Sequence, residues 1–100
     1  MTDRELLELA AKAAGMEYSD RQWSEYDEDY VTWNPLDDDG DALRLAVKLR
    51  IELEFGSDFV NTGRSQNLGE WHLAQEKLSD PYAATRRAIV RAAAEIGRNM

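Results

Sequence analysis

Apolar residues return at helical spacing in three stretches of this chain and in strict alternation in a fourth. Leu6, Leu9, Ala10 and Ala13 form a helical stripe that Leu7, Ala11 and Ala14 widen. Thr2-Asp3-Arg4-Glu5 in front of it has the capping-box form, and Gly15 behind it supplies a stop. A second helix is expected from about Asp38–Asp41, with Ala42, Leu45, Ala46 and Leu49 on its apolar face and Leu43 and Val47 flanking it. Its acids sit at the start and Arg44, Lys48 and Arg50 toward the end, as the helix dipole favours. The third helix has Asp80 to cap it, Pro81 for its first position and periodicity running to Ile96 before Gly97. Centring its buried face on Ile89 gathers Tyr82, Thr85, Ala93 and Ile96, and leaves Arg87, Arg91 and Arg98 on the opposite ridge. Arg86 falls at the edge of the apolar face, within one turn of Tyr82, Ile89 and Val90.

Ile51-Glu52-Leu53-Glu54-Phe55 alternates and predicts a half-buried strand. Gly56-Ser57-Asp58 then turns the chain into Phe59-Val60-Asn61-Thr62. A polar loop from Gly63 to Gly69 leads to a third strand at Trp71-His72-Leu73-Ala74-Gln75. Between the first two helices the pattern breaks down. Tyr18, Trp23, Tyr26, Tyr30 and Trp33 are spread among acids and serines; one strand is expected at Asp29–Trp33, after an irregular acidic loop, and Asn34-Pro35 ends it. The sum is an α+β fold: a compact α/β sandwich with a small, mainly antiparallel sheet of three to four strands and about three helices. No repeat, low-complexity tract or linker divides the chain, so residues 1–100 read as one domain.

At 43% apolar and 32% charged residues the composition is that of a folded protein, not a disordered one. With no cysteine, disulfides and thiolate chemistry are excluded, and no apolar run is long enough for a membrane span. A cytoplasmic setting follows as the expectation. Charge changes the picture more. Residues 1–58 hold 16 acids against 6 bases, whereas residues 59–100 hold 4 acids against 6 bases. From Glu17 to Asp41 there are ten acids and a single base, Arg21. Such a field repels nucleic acid and attracts basic protein surfaces, although it also serves plain solubility.

Two long blocks carry a resemblance. Trp33-Asn34-Pro35-Leu36-Asp37-Asp38-Asp39-Gly40-Asp41-Ala42-Leu43-Arg44-Leu45-Ala46-Val47-Lys48-Leu49 is one, and the run from Asp80-Pro81-Tyr82 to Glu95-Ile96-Gly97 is the other. With the opening helix they resemble the small phage and prophage proteins grouped as the phage ABA-sandwich domain. The resemblance implies a compact α/β sandwich, a phage or prophage origin and therefore a host-cytoplasmic setting. It brings no enzymatic activity and no catalytic residue to transfer. Residues 17–30 and 56–79 have no counterpart in it.

Candidate chemistry is sparse. Asp37-Asp38-Asp39-Gly40-Asp41 invites a calcium ion but fails the EF-hand register, since Ala42 and Lys48 fall where glycine and the bidentate acid belong. Capping and solvation explain the cluster, and no metal site or cofactor is expected. His72, the single histidine, has no nucleophile or base placed beside it by any pattern, and no phosphate loop, nucleophile elbow or HExxH helix is present. No catalytic residue is therefore assigned.

Binding is what remains. Trp23, Tyr26, Asp27, Glu28, Asp29 and Tyr30 combine anchoring aromatics with acids and form the candidate partner surface. A host protein with a basic channel is the fitting partner, and blocking a host antiviral defence the fitting role. Trp33 and Asn34, with Arg86, Arg87 and Arg91, form the candidate site for an anionic ligand, which a sequestered nucleotide signal would use. For Arg86 the competing expectation is an internal ion pair with an acid of the 17–41 segment, because an unpaired buried charge is costly. A virion or assembly role is the third reading. The alanines Ala83, Ala84, Ala88, Ala92, Ala93 and Ala94 imply close packing against the sheet or a second copy of the chain.

Overall fold

Helix α1 (Asp3–Ala13) begins on a complete capping box in the computed structural model, which describes residues 1–16, 33–64 and 72–100, the His72 side chain excepted. The Glu5 N–H donates to the Thr2 hydroxyl at 3.1 Å, and the Thr2 N–H donates to the Glu5 carboxylate at 2.8 Å. That backbone bond, with the Thr2 hydroxyl adding a second, holds the Glu5 pKa below its ordinary 4.5. Gly15 follows with φ +77, the left-handed conformation that suits glycine.

Helix α2 (Asp39–Leu49) is capped by Asp38, whose carboxylate accepts the Asp41 N–H at 2.8 Å. It ends at Arg50, which takes φ 58 without being glycine, while the Ile51 N–H reaches back to the Ala46 carbonyl. Strands β1 (Glu52–Phe55), β2 (Phe59–Gly63) and β3 (His72–Lys77) form an antiparallel sheet in that order. Leu53, Thr62 and Ala74 share one cross-strand row, and Phe55, Val60 and Glu76 the next but one. Thr62 is fully buried yet satisfied, its hydroxyl donating to the Ala74 carbonyl at 3.1 Å. Between Thr62 and Gly63 the register slips, so His72 and Leu73 together face Gly63. Such a bulge re-aims the extra residue, and Leu73 packs against the core.

Helix α3 (Pro81–Arg98) is the hub, in contact with α1, α2, β2 and β3. Ala84, Ala88, Ile89, Val90, Ala92, Ala93, Ala94 and Gly97 are buried, which is most of its circumference. This corrects two expectations. Tyr82 is 72% exposed instead of packed beside Ile89, although Ala84 in the same turn is buried. Gly97 does not stop the helix, which continues to Arg98 and is capped by Asn99. Its missing side chain is what matters: a Cβ there would lie 2.1 Å from the Leu9 carbonyl oxygen of α1. The two helices run in the same sense, with Asp3 beside Arg87 at one end and Leu9 against Gly97 at the other.

The core joins Leu6, Leu7 and Ala10 of α1 to Leu45 and Leu49 of α2, with Ile51, Ala74, Ile89 and Val90. The fold is α+β with three helices and a three-stranded antiparallel sheet among the described residues. The strand expected at Asp29–Trp33 lies outside them apart from Trp33, which is in no strand, and residues 65–69 of the polar loop and Trp71 of the third expected strand lie outside as well.

Candidate functional site

The turn that launches α2 consumes the acids that looked like a metal cluster. Asn34 organises it: its N–H donates to Asp41 at 2.9 Å, its amide nitrogen to Asp37 at 3.2 Å, and its side-chain oxygen accepts the Leu36 N–H at 3.0 Å. Asp41, only 6% exposed, also accepts from Arg44 at 2.7 Å. Arg86 closes the turn from α3, with its Nε donating to the Leu36 carbonyl at 2.8 Å and a terminal nitrogen to Asp39 at 2.6 Å. Each of the four aspartates therefore has a partner within the fold. No group of three or more metal-ligating side chains occurs among the described residues.

Arg86 and its neighbours Arg87 and Arg91 do not form one site. A single helical step is about 100°, so Arg86 faces α2 while Arg87 and Arg91 face the gap between α1 and β3. There they meet Arg98, which sequence reasoning left out of the site. The three arginines stand on one ridge of α3 at positions 87, 91 and 98 and line a cavity of about 450 Å³. Leu6 of α1, Leu73 and Ala74 of β3 and Ala94 of α3 supply its apolar surface. The alanines Ala74 and Ala94 are both nearly fully buried. Helical spacing alone would have grouped Arg98 with Arg87 and Arg91; the presence of a facing wall is what spacing does not reveal.

Carboxylates answer each guanidinium. Arg87 donates to Asp3 at 3.0 Å, Arg91 to Glu76 and to the Gln75 carbonyl, and Arg98 stands 4.0 Å from Glu95. The arginine side chains are 40–50% exposed in these pairs, so solvent screens them and each contributes about 1 kcal/mol or less. The cavity is thus walled by charge that is balanced but weakly held.

A second concavity, of about 410 Å³, lies between α2 and β1. Leu43 and Val47 of α2 and Leu53 of β1 line it, with Arg50 at its end. Leu43 is 61% and Val47 68% exposed, and Phe55 further along β1 is 58% exposed. Trp33 is half-buried, packs against the core and does not line the arginine cavity. Trp23, Tyr26, Asp27, Glu28, Asp29 and Tyr30 lie outside the described residues.

Among the described residues no helix is long and apolar enough to cross a membrane. No family model, no curated protein and no solved structure matches this chain.

Proposed function

We propose that this protein acts by stoichiometric binding to a host protein, as a phage-type accessory factor that antagonises an antiviral defence, with no catalysis of its own. The observation that carries the reading is the apolar groove between α2 and β1. Leu43 and Val47 sit one helical turn apart and stay mostly in solvent beside Leu53, although α2 has a fully adequate buried face in Ala42, Leu45, Ala46 and Leu49. Clustered exposed apolar side chains of this kind characterise contact surfaces. The acids add direction. Asp37, Asp38 and Asp39 stay exposed although they are bonded within the α2 turn, and they add to the attraction of a basic partner by the acids between Glu17 and Asp29.

Affinity purification from a defence-proficient host, repeated with two variants, tests this. Leu43→Glu/Val47→Glu changes only exposed side chains, and Asp27→Lys/Glu28→Lys/Asp29→Lys reverses the charge of the acidic segment. Both should lose the protein captured by wild type, in equal stoichiometry, while the circular dichroism spectrum and Tm stay unchanged. Undiminished capture by both variants overturns the reading.

A further inference from the structure

We infer that the cavity between α1, β3 and the arginine ridge of α3 is a binding site for a bis-anionic organic ligand of nucleotide size, a property independent of the groove on α2. Three features point to a ligand. The first is spacing along the ridge. Arg87 and Arg91 are one turn apart, about 6 Å, and Arg98 lies about 10 Å further along at 1.5 Å per residue. That places a paired guanidinium clamp at one end and a single guanidinium at the other. Arginine forks match phosphate oxygens bidentately, so the clamp suits a phosphoryl group and Arg98 a second anion.

The second feature is the surface between the two cationic ends. Leu6, Leu73, Ala74 and Ala94 form an apolar floor of which chiefly Leu73 reaches solvent, room for part of a ligand's apolar body between walls that are mostly polar. A volume of about 450 Å³ falls in the range of small-molecule pockets. The bulge at Gly63 contributes here, since it turns Leu73 toward the core side, where the residue lines the cavity.

The third feature is the unused donor capacity. A guanidinium carries five N–H donors. Arg87 spends one terminal nitrogen on Asp3, Arg91 one on Glu76 and Gln75, and Arg98 stands at ion-pair distance only. The carboxylates Glu76 and Glu95 line the same cavity and therefore stand where the ligand's anions would go. Binding is an exchange in which a phosphate, carrying more charge than a carboxylate, takes over the guanidinium from Glu76.

Calorimetry with adenosine 3′,5′-bisphosphate, with orthophosphate as the single-anion control, tests the site. The bisphosphate should bind one per chain, at least tenfold more tightly than orthophosphate, and both Arg91→Ala and Arg98→Ala should weaken it at least tenfold. Glu76→Gln is the decisive variant. As the competitor for Arg91 it should tighten binding several-fold, whereas a residue that merely shapes the site would weaken it when altered. No heat of binding at millimolar bisphosphate, or equal affinity for both probes, overturns the inference. So does Glu76→Gln leaving the affinity unchanged or lower in a variant of wild-type Tm.

Discussion

Replacing Gly97 by alanine tests the closest approach in the fold. The added Cβ would sit 2.1 Å from the Leu9 carbonyl oxygen, 2.9 Å from the Leu9 carbonyl carbon and 3.4 Å from the Ala13 nitrogen. All three are backbone atoms of α1, so no rotamer change relieves the overlap. Helix packing tolerates a C···O contact of about 3.3 Å, so α1 must retreat by about 1.2 Å at this point. Leu6, Leu7, Ala10 and Ala14, buried on that side, would share the displacement, and gaps of about 0.5–1 Å forfeit a quarter to a half of a dispersion contact. Overpacking of this kind costs about 1–3 kcal/mol, and the immovable obstacle puts Gly97→Ala at the upper end. Alanine returns about 1 kcal/mol of helix propensity, which leaves a net loss of about 2 kcal/mol. For a domain of this size that lowers Tm by about 8–16 °C. Thermal and urea unfolding followed by circular dichroism read the change directly. Gly40→Ala is the milder comparison: its nearest neighbours, at 3.2–3.3 Å, are the ends of the Asp38 and Arg44 side chains. Although Arg44 can move, the Asp38 oxygen caps α2, so the gain in helix propensity and the disturbed cap should leave stability within about 1 kcal/mol of wild type. A Gly97→Ala variant as stable as wild type would refute the α1–α3 contact as described.

Four further outcomes follow from single local features. Arg86→Lys cannot reproduce the fork that holds both the Leu36 carbonyl and Asp39, and should cost about 1–3 kcal/mol in urea unfolding. Asp39→Asn, which removes only the 69% exposed member of that pair, should cost less than about 1 kcal/mol. Arg50→Gly relieves a left-handed residue at φ 58 and should raise stability by about 1 kcal/mol in the same assay. Glu5 has a depressed folded pKa, so its stabilisation is present above the ordinary 4.5 and is lost as pH falls through the lower folded value. The Tm advantage of wild type over Glu5→Gln should accordingly shrink below pH 4.5; an advantage that is constant down to pH 2 contradicts the capping box.

The helices were legible because each signal is local. Thr2 with Glu5, Asp38 with Asp41, and Asp80 with Ala83 complete caps within three residues of sequence. The meander was legible for the same reason, since Ile51–Phe55 alternates and the turn residues Gly56-Ser57-Asp58 follow it directly, ahead of Phe59–Thr62. What the pattern could not give is tertiary. Gly97 carries a terminator's signature, yet it lies inside α3 because a neighbouring backbone needs the space of its absent Cβ. Tyr82 has the right helical angle for burial beside Ile89 and is nonetheless 72% exposed. Arg98 joins Arg87 and Arg91 only because β3, brought round by the sheet, supplies the opposite wall of the cavity.

The same reasoning redistributes the charge that composition reports as one number. Net −8 describes the whole chain, but charge acts where it is left unbalanced. Around the α2 turn each of four aspartates has a partner, but the cap and the asparagine amide are neutral and only Arg44 and Arg86 offset charge, so the exposed Asp37, Asp38 and Asp39 leave the turn acidic while they help to fold it. Along the α3 ridge charge is balanced, but by exposed pairs that a stronger anion can displace. Two kinds of recognition are therefore compatible in one small domain: the acids between Glu17 and Asp29 and the groove of Leu43 and Val47 suit a basic, partly apolar protein surface, and the arginines, facing the gap between α1 and β3, suit an anion. Salt distinguishes them in degree. Long-range attraction by exposed acids is screened beyond a Debye length of about 8 Å at physiological ionic strength, whereas a phosphate held bidentately in a half-enclosed cavity loses less. Raising the salt concentration should therefore slow capture of a protein partner well before it empties the arginine cavity.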